Sequence, residues 1–430
     1  MKTDIRSPKH VVVVGGGFAG LNFIQNLEDS PSYKITLVDK NNYNYFTPLL
    51  YQVATSFLEP SNITYPFRKL FAKKGIQFRM ASVIRVNTHE NSLQLSDGDQ
   101  LNYDLLVFAA GTETNFFGNP TIKENAIFLK SIEDALFMRN ELIRILEKAS
   151  LEKDPVERGK LLTIVIAGGG ATGVEVAGML GEMKNYIVTN EYPELKDTSI
   201  DIYIVEGTSA LLPTMSTRTH MRALDALTKL GVRVKLNTQV KSFNNDAVYL
   251  SDDTVIPAKT LLWTAGVIAR TFEGIETSSV GKGSRMITDA YNRVQNYENI
   301  FAIGDISIQF TDKRYPHGHP QVVQPAIQQG RRLAKNFLLL SRGRSPKPFK
   351  YFDRGEMAII GRNFAVADLF KHKVHLGGIA GLLSWLFIHA ISLVNYNNKI
   401  KTLYNWVVAY LTCDQALRLI FQPPIKRNVR

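Results

Sequence analysis

Two glycine-rich stretches, GGGFAG and GGGATG, have the residue types and spacing of a turn that binds a pyrophosphate. The GxGxxG glycines are Gly15, Gly17 and Gly20 in the first stretch and Gly168, Gly170 and Gly173 in the second. In such a turn the first glycine allows a sharp bend, the second lets the backbone approach a phosphate, and the third lets a helix pack on a strand. The chain therefore has two candidate dinucleotide sites.

The residues around each stretch predict the strand, turn and helix that this chemistry needs. HVVVV precedes the first stretch, a helical pattern of apolar residues covers 21–27, and KITLVD follows at 34–39. The second stretch lies between LTIVIA and a helical segment at 173–183, and DIYIVE follows at 201–206. Strand, helix and strand in this order predict parallel sheets with right-handed crossovers, and thus an α/β fold.

An acid at the end of each following strand can bind a ribose. Asp39 lies nineteen residues after Gly20, and Glu206 ends the corresponding strand after the second stretch. A carboxylate accepts hydrogen bonds from ribose hydroxyls and repels a 2′-phosphate. Because no Lys or Arg follows Glu206 before Arg218, the second site is predicted to prefer NADH to NADPH.

Glu175 lies two residues after Gly173 and is predicted to be on the first turn of the helix. Two interpretations are open. An acid at this position is stabilised by the positive end of the helix dipole. Alternatively, Glu175 lies beside the nicotinamide, where it orients the ring or relays a proton.

Positive charge is concentrated near the C-terminus. The 430 residues carry a formal net charge of +12. From residue 371 onward the charged residues are Lys371, Lys373, Lys399, Lys401, Arg418, Lys426, Arg427 and Arg430 against Asp414. Because Trp385, Tyr404 and Trp406 lie among these bases, we expect this region to bind an anionic surface.

Cys413 is the only cysteine, which excludes an intrachain disulfide, a CxxC redox pair and a cysteine-rich metal site. His317 and His319 form an HGH sequence, but no further ligand cluster lies near them, so we expect a loop and no metal. The N-terminal MKTDIRSPK contains no apolar signal segment. We therefore expect the protein on the cytoplasmic side of any membrane that it touches.

Both glycine-rich units, together with DLLVFAAGT, LLWTAGV and FAIGD, resemble the two-dinucleotide-binding-domain flavoprotein superfamily over about residues 8–340. This resemblance implies two Rossmann-like domains, with FAD bound by the first and NADH by the second. It also implies that Gly304 and Asp305 lie at the FAD, although Asp305 alone is an ordinary strand-end acid. Members that pass electrons through cysteine are excluded by the single cysteine.

The resemblance also gives the expected domains and binding residues. The FAD-binding domain is expected at 1–155 and 286–345, the NADH-binding domain at 156–285, and a C-terminal membrane-anchoring region at 346–430. The expected FAD residues are Gly15, Gly17, Phe18, Ala19, Gly20, Asp39, Lys40, Val83, Ala110, Gly111, Gly304 and Asp305. The expected NADH residues are Gly168, Gly170, Ala171, Thr172, Gly173, Glu175, Glu206, Ala265 and Gly266.

Two further stretches narrow the resemblance to the type II NADH:quinone oxidoreductases. NYFTPLLYQVATSFLEPSNITYPFR at 44–68 is similar to a signature of that family, and VQPAIQQG at 323–330 is similar to its AQxAxQ quinone motif, with Val323 in place of the first Ala. The resemblance implies a quinone site with Glu175 and the two glutamines as catalytic residues. Its expected residues are Tyr45, Phe46, Leu50, Gln324 and Gln328. Without the resemblance, 45–51 reads as an ordinary core segment.

The C-terminal region has the pattern of helices that lie on a membrane. Residues 376–394 carry no formal charge, but their glycines predict a helix at 382–394, which at about 20 Å is too short to cross a bilayer. A second apolar face is formed by Ile400, Leu403, Tyr404, Val407, Val408 and Leu411. We expect residues 376–425 to contact the lipid surface. A dimer interface on the same face is the alternative, and a homodimer is expected.

The sequence thus predicts a monotopic respiratory flavoprotein on the cytoplasmic face of the cell membrane. It is expected to pass a hydride from NADH to FAD and two electrons to a membrane quinone, without pumping protons. A soluble ferredoxin- or rubredoxin-type NADH reductase is the first alternative, because it shares both dinucleotide units but does not need the apolar basic tail. A flavin-bearing protein that binds nucleic acid is the second. The apolar and aromatic tail argues against nucleic acid as a partner.

Overall fold

The computed structural model describes residues 7–412 and 417–420, which form a mixed α/β structure. The helices are α1 (Phe18–Gln25), α2 (Leu50–Ala54), α3 (Pro60–Ile63), α4 (Phe67–Leu70), α5 (Pro120–Asn125), α6 (Ile132–Leu151), α7 (Pro155–Leu161), α8 (Ala171–Met183), α9 (Thr189–Glu191), α10 (Thr217–Lys229), α11 (Val323–Ser341), α12 (Gly378–Ser392) and α13 (Tyr396–Thr412).

The strands form two parallel sheets and several smaller ones. They are β1 (Lys9–Val14), β2 (Tyr33–Asp39), β3 (Tyr43–Tyr45), β4 (Thr64–Pro66), β5 (Gln77–Met80), β6 (Val83–Asn87), β7 (Ser92–Leu95), β8 (Gln100–Asn102), β9 (Leu105–Phe108), β10 (Thr112–Thr114), β11 (Ile127–Phe128), β12 (Thr163–Ala167), β13 (Asp201–Val205), β14 (Val232–Lys235), β15 (Val240–Asn244), β16 (Ala247–Leu250), β17 (Val255–Pro257), β18 (Thr260–Trp263), β19 (Val267–Ala269), β20 (Met286–Thr288), β21 (Ile300–Ala302), β22 (Ser307–Gln309), β23 (Gly355–Ile360), β24 (Phe364–Leu369) and β25 (Val374–Gly377).

The chain folds into two compact units. The first unit comprises the residues up to Tyr45, Tyr65–Glu113 and Val267–Asp353. The second unit comprises Phe46–Thr64, Thr114–Gly266 and the residues from Arg354 onward.

The first unit is built on a five-stranded parallel sheet in the order β21-β9-β1-β2-β5. The side chains of successive valines in β1 point to opposite faces of this sheet, as the twofold periodicity of a strand requires. Val11 and Val13 pack with α1 and α11, whereas Val12 and Val14 pack with the antiparallel strands β6 and β7. The strand that precedes the first glycine-rich turn is therefore fixed from both sides.

The second unit repeats this arrangement with the order β11-β18-β12-β13-β14, all parallel. In both sheets the strand before the glycine-rich turn is central and the strand that ends near the acid is its neighbour. Parallel strands bring their carboxyl ends to one edge, where ligands of open α/β folds bind. The predicted α/β class is confirmed by this topology.

Helix α6 begins with a capping box. The Ser131 hydroxyl accepts from the backbone N–H of Asp134 at 3.1 Å, and the Asp134 carboxylate accepts from the N–H of Ser131 at 2.8 Å. After α6, the carboxylate of Asp154 caps the next helix, α7, by accepting from the N–H of Val156 at 3.0 Å.

The C-terminal region contains a three-stranded antiparallel sheet, β23-β24-β25, which was not predicted, before its two helices. The predicted start of the first helix at 382 is wrong, since α12 already begins at Gly378. The reason is packing. A Cβ atom at Gly381 would overlap the carbonyl oxygen of Ala365, so this glycine lets α12 lie directly on β24.

Candidate active site

In the first glycine-rich turn, an added Cβ atom would have space at one of the three GxGxxG glycines and would overlap other atoms at the other two. Gly15 has φ +103°, and a Cβ atom there would lie 2.5 Å from the carbonyl oxygen of Ala109. A Cβ atom at Gly20 would overlap the carbonyl oxygen of Gly15. At Gly17, which precedes α1, no atom of the described residues lies within 4 Å of the Cβ position. The open middle position leaves space for a phosphate against the start of the helix.

The second turn repeats this geometry closely. Gly168 has φ +105°, and a Cβ atom there would lie 2.8 Å from the Cα of Ala265. A Cβ atom at Gly173 would overlap the carbonyl oxygen of Gly168. At Gly170, before α8, none of the atoms that the structure describes lies within 4 Å of the Cβ position. Thr264 supports the turn, because its hydroxyl donates to the carbonyl oxygens of Ala167 and Gly168 at 2.8 and 3.1 Å.

Each predicted ribose acid is hydrogen-bonded to its own turn. The Asp39 carboxylate accepts from the N–H groups of Gly16 at 2.7 Å and Asn41 at 2.8 Å. Burial raises the pKa of Asp39 despite these two bonds. A carboxylate oxygen has more than one lone pair, so it can still accept from a ribose hydroxyl.

Glu206 plays the same part in the second unit. Its carboxylate accepts from the N–H groups of Gly169 at 2.6 Å and Thr208 at 2.8 Å. Both acids therefore fix the turn as well as offering acceptors to a sugar.

The other residues predicted to bind FAD in the first unit differ in which groups they expose to a ligand. Phe18 and Ala19 are in the first turn of α1, and Lys40 is exposed after β2. Val83 is buried in the core, so only its backbone is available to a ligand. Ala110 and Gly111 follow β9, and within the described part of the chain a Cβ position at Gly111 has no atom closer than 4 Å.

Gly304 and Asp305 form a supported turn after β21. Gly304 has φ +76°, and its N–H donates to Oε1 of Gln329 at 2.6 Å. The buried Gln329 also accepts from the hydroxyl of Ser307 at 3.3 Å. Sequence reasoning missed Gln329, although it is adjacent to Gln328. It also missed the buried Asn44, whose amide donates to the carbonyl oxygen of Gly16 at 2.8 Å.

Both glutamines of the predicted quinone motif lie in α11. The amide of Gln328 is already paired with the backbone of Phe352, since it donates to the carbonyl oxygen at 2.9 Å and accepts from the N–H at 3.0 Å. These two bonds connect Gln328 of α11 to the backbone of Phe352 within the first unit. Gln324 is half-buried near the start of the helix.

In the second unit, Ala171 and Thr172 are exposed in the first turn of α8, where their N–H groups can face an anion. Ala265 and Gly266 follow β18 and are half-buried. The indole of Trp263 donates to the carbonyl oxygen of Asn115 at 2.8 Å and fixes the end of this strand.

Glu175 does not lie on the first turn of its helix, so that prediction is wrong. It is the fifth residue of α8, because the helix begins at Ala171. Its buried carboxyl interacts with the backbone N–H of Ile359, and burial raises its pKa well above the usual range. A carboxylate past the first turn gains little stabilisation from the helix dipole. This argues against the interpretation that Glu175 is an acid placed there because the dipole stabilises it.

The residues predicted to wall a quinone slot are divided between the units. Tyr45 belongs to the first unit, is half-buried and packs edge-on against Tyr43. Phe46 and Leu50 belong to the second unit and are buried. Phe46 packs edge-on against His389, whose pKa is lowered to about 4 by burial.

Helices α12 and α13 present apolar side chains outward. The exposed side chains include Ile379, Leu383, Phe387 and Ile391 of α12 and Ile400, Leu403, Tyr404 and Val407 of α13. Two polar side chains of α13, Asn398 and Thr402, are buried instead. Asn398 donates to the carbonyl oxygen of Thr64 at 2.8 Å, and Thr402 to that of Asn62 at 3.4 Å.

Arg418 does not contribute a free charge to this surface, in contrast to the prediction. Its guanidinium forms a bidentate ion pair with Glu191, including a bond from Nε at 3.1 Å. Lys426, Arg427 and Arg430 lie outside the described residues, as do Cys413 and Asp414. Among the residues that the structure describes, no helix is both long and apolar enough to span a membrane.

Comparison with known proteins identifies the family. Residues 9–330 match the pyridine nucleotide-disulphide oxidoreductase family. Over 421 residues the chain is 32% identical to the type II NADH:quinone oxidoreductase Ndh of Mycobacterium tuberculosis, covering 94% of this chain and 88% of that protein. This chain belongs to the type II NADH:quinone oxidoreductases.

Other relatives and solved structures agree with this assignment. The type II NADH:quinone oxidoreductase of Haemophilus influenzae is 29% identical, with 84% of this chain and 87% of that protein covered. The structure of NDH2 from Plasmodium falciparum in complex with NADH has a TM-score of 0.87 at 22% identity and covers 97% of this chain and 100% of that one. The predicted family and the predicted fold of the type II oxidoreductases are thereby confirmed.

Proposed function

We propose that this chain oxidises NADH at its second glycine-rich turn and reduces a membrane quinone by means of FAD held at its first. The observation that supports this most directly is the pair of matching turns, each with an open middle glycine and an acid bonded to the turn. When bound, FAD accepts a hydride from NADH and returns two electrons to the quinone.

The residues of the first unit fit FAD. The open position at Gly17 and the N–H groups at the start of α1 suit a pyrophosphate, and Asp39 suits a ribose. Gly304, held by Gln329, presents the Asp305 turn at the carboxyl end of the sheet. We propose FAD-binding segments at 1–155 and 286–345 and an NADH-binding segment at 156–285.

The second unit fits NADH better than NADPH. The carboxylate of Glu206 is buried and bonded to two N–H groups, so it cannot easily turn away from a 2′-phosphate. Repulsion between these charges disfavours the phosphorylated nucleotide.

The carboxyl group of Glu175 is our candidate for the group that gives a proton to the quinone. Reduction of a quinone to a quinol takes two electrons and two protons, whereas a hydride brings two electrons and only one proton. Because burial favours the protonated form of Glu175, this side chain can provide the second proton in a region shielded from water. We keep Gln324 as a further candidate for the quinone site.

We propose that α12 and α13 rest on the cytoplasmic face of the cell membrane. Phe387 of α12 and Tyr404 of α13 are 65% and 67% exposed. Large outward-facing apolar side chains on adjacent helices, with Lys399 and Lys401 nearby, suit insertion into the lipid interface. A second copy of the chain covering part of this surface is compatible with the same exposure, and we propose a homodimer.

Anaerobic mixing of the flavin-loaded protein with NADH and then a short-chain quinone tests this function. Flavin absorbance in the visible should fall with NADH and recover when the quinone is added. If NADH fails to bleach the flavin, the proposal is wrong. If reduced protein passes electrons to a ferredoxin or rubredoxin but not to the quinone, the soluble reductase is the better description.

A further inference from the structure

The loop 207–216 connects β13 to α10 and is bonded to the second glycine-rich turn. Gly169 of this turn is held at both of its backbone groups. Its N–H donates to Oε2 of Glu206 at 2.6 Å, and its carbonyl oxygen accepts from the N–H of Leu212 at 2.8 Å. A Cβ atom at Gly169 would lie 2.8 Å from Cδ2 of Leu211. Loop 207–216 therefore packs directly on the turn that we assign to the pyrophosphate.

Leu212 has a backbone conformation that depends on its surroundings. Its φ is +52°, in the left-handed region that residues with a side chain rarely adopt, and its side chain is buried. The N–H of Met215 donates to the carbonyl oxygen of Leu212 at 2.8 Å and closes a tight turn within the loop. A strained conformation persists only where the neighbouring structure holds it, so the attachment at the far end of the loop is important.

The far end of loop 207–216 is held by Asp368 of β24, which belongs to the same unit. This carboxylate is fully buried, and its Oδ2 accepts from the N–H of Ser216 at 2.6 Å. Its Oδ1 accepts from the hydroxyl of Thr219 at 2.9 Å and from Nδ1 of His375 at 2.6 Å. Burial of a carboxylate is costly unless donors surround it, so these bonds fix Asp368 and the backbone of Ser216 together.

A second bond connects the loop to the neighbouring strand. The hydroxyl of Thr214 donates to the carboxylate of Glu356 in β23. In the antiparallel pair of β23 and β24, Glu356 lies directly opposite Asp368, so both side chains are on the same face of the sheet. Two acids of the C-terminal sheet are therefore bonded to one loop, although both are distant in sequence from Gly169.

We propose that Asp368 is a positioning residue for the NADH site. It anchors loop 207–216 at Ser216, and the loop holds Gly169 in the conformation that binds a pyrophosphate. The inference rests on the proposed binding of NADH at this turn. Asp368 acts through the loop and not by contact with the nucleotide.

Calorimetric titration of the flavin-loaded full chain with NAD⁺ tests this inference. In Asp368→Asn an NH₂ group replaces one acceptor oxygen, so a donor around it loses its partner. The Kd of NAD⁺ should rise about five- to tenfold, at the low end of the usual coupling between separate sites. In turnover the KM for NADH should rise while kcat stays near the wild-type value, because ground-state and transition-state binding weaken equally. Hydrogen exchange of residues 207–216 should become faster, which reports on the loop directly.

Thr214→Val is a second variant that leaves Asp368 in place and keeps a β-branched side chain. It removes the exposed bond to Glu356, so we expect a smaller rise in the Kd of NAD⁺. The matched control is Val366→Ala, because Val366 is a buried residue of the same strand, two positions before Asp368. Its truncation lowers stability without removing a hydrogen-bonding group, and the control should bind NAD⁺ like the wild type.

The outcomes separate this inference from the proposed function. An unchanged Kd of NAD⁺ in Asp368→Asn overturns the inference, and if that variant does not fold, an unchanged Kd in Thr214→Val overturns it. An equal rise in Val366→Ala also overturns it, since the effect then follows from lower stability alone. Failure of the wild-type protein to bind NAD⁺ would remove the proposed NADH site instead, while hydrogen exchange still shows whether Asp368 anchors the loop.

Discussion

Substitution of Gly170 by alanine should weaken NADH binding without weakening the fold. Gly170 has φ −70°, which alanine adopts readily, and an added Cβ would have no atom of residues 7–412 or 417–420 within 4 Å. The methyl group would instead occupy the space that we assign to the pyrophosphate. Loss of one charge-assisted hydrogen bond from the start of α8 costs about 1.5–3 kcal/mol, which raises Kd about ten- to a hundredfold.

Calorimetric titration with NAD⁺, which binds without reacting, measures this Kd directly, and urea unfolding measures stability. Gly159→Ala is the matched control, because Gly159 lies in α7 and also has no atom within 4 Å of its Cβ position. The control should bind NAD⁺ like the wild type. An unchanged Kd in Gly170→Ala would refute the assignment of this turn to the dinucleotide.

Three further changes test other parts of the structure. Gly173→Ala should lower the free energy of unfolding by about 1–3 kcal/mol in urea, because its Cβ overlaps the carbonyl oxygen of Gly168. Asp368→Asn should reduce the loss of stability that acid titrations show below about pH 5. Burial alone would raise the pKa of Asp368, but hydrogen bonds from Ser216, His375 and Thr219 together lower it. The stabilisation by the Asp368 carboxylate is therefore present at neutral pH and is lost as the pH falls. Phe387→Asp should reduce sedimentation with anionic vesicles severalfold while leaving flavin content unchanged, since this side chain is 65% exposed.

Local patterns were sufficient to predict the strands, turns and helices of the two candidate dinucleotide sites. A β-branched run, a glycine-rich turn and an amphipathic segment are encoded within about thirty residues, and both βαβ units have the expected order. The capping box at Ser131 and Asp134 is equally local. Such features depend on neighbours in sequence, so they can be recognised without knowing the tertiary fold.

The features that sequence reasoning missed depend on distant contacts. Gly381 looks like a helix breaker until β24 is seen beneath it. The bond between Trp406 and Gln52 joins residues 354 positions apart, and no periodicity predicts it. Gln328 and Gln329 are adjacent and chemically identical, and only the position of α11 decides which of them supports Gly304 and which binds Phe352.

The two hydrogen bonds between Glu206 and its own turn, together with the ribose-binding role that we propose for it, have a consequence for protein engineering. The usual route to an NADPH-dependent variant removes this acid, but here removal would also release the N–H groups of Gly169 and Thr208. The loop would then lose both of these hydrogen bonds, although it must also accommodate a larger ligand. A designer who wishes to change nucleotide preference should keep the carboxylate and introduce a compensating cation at exposed Ser209.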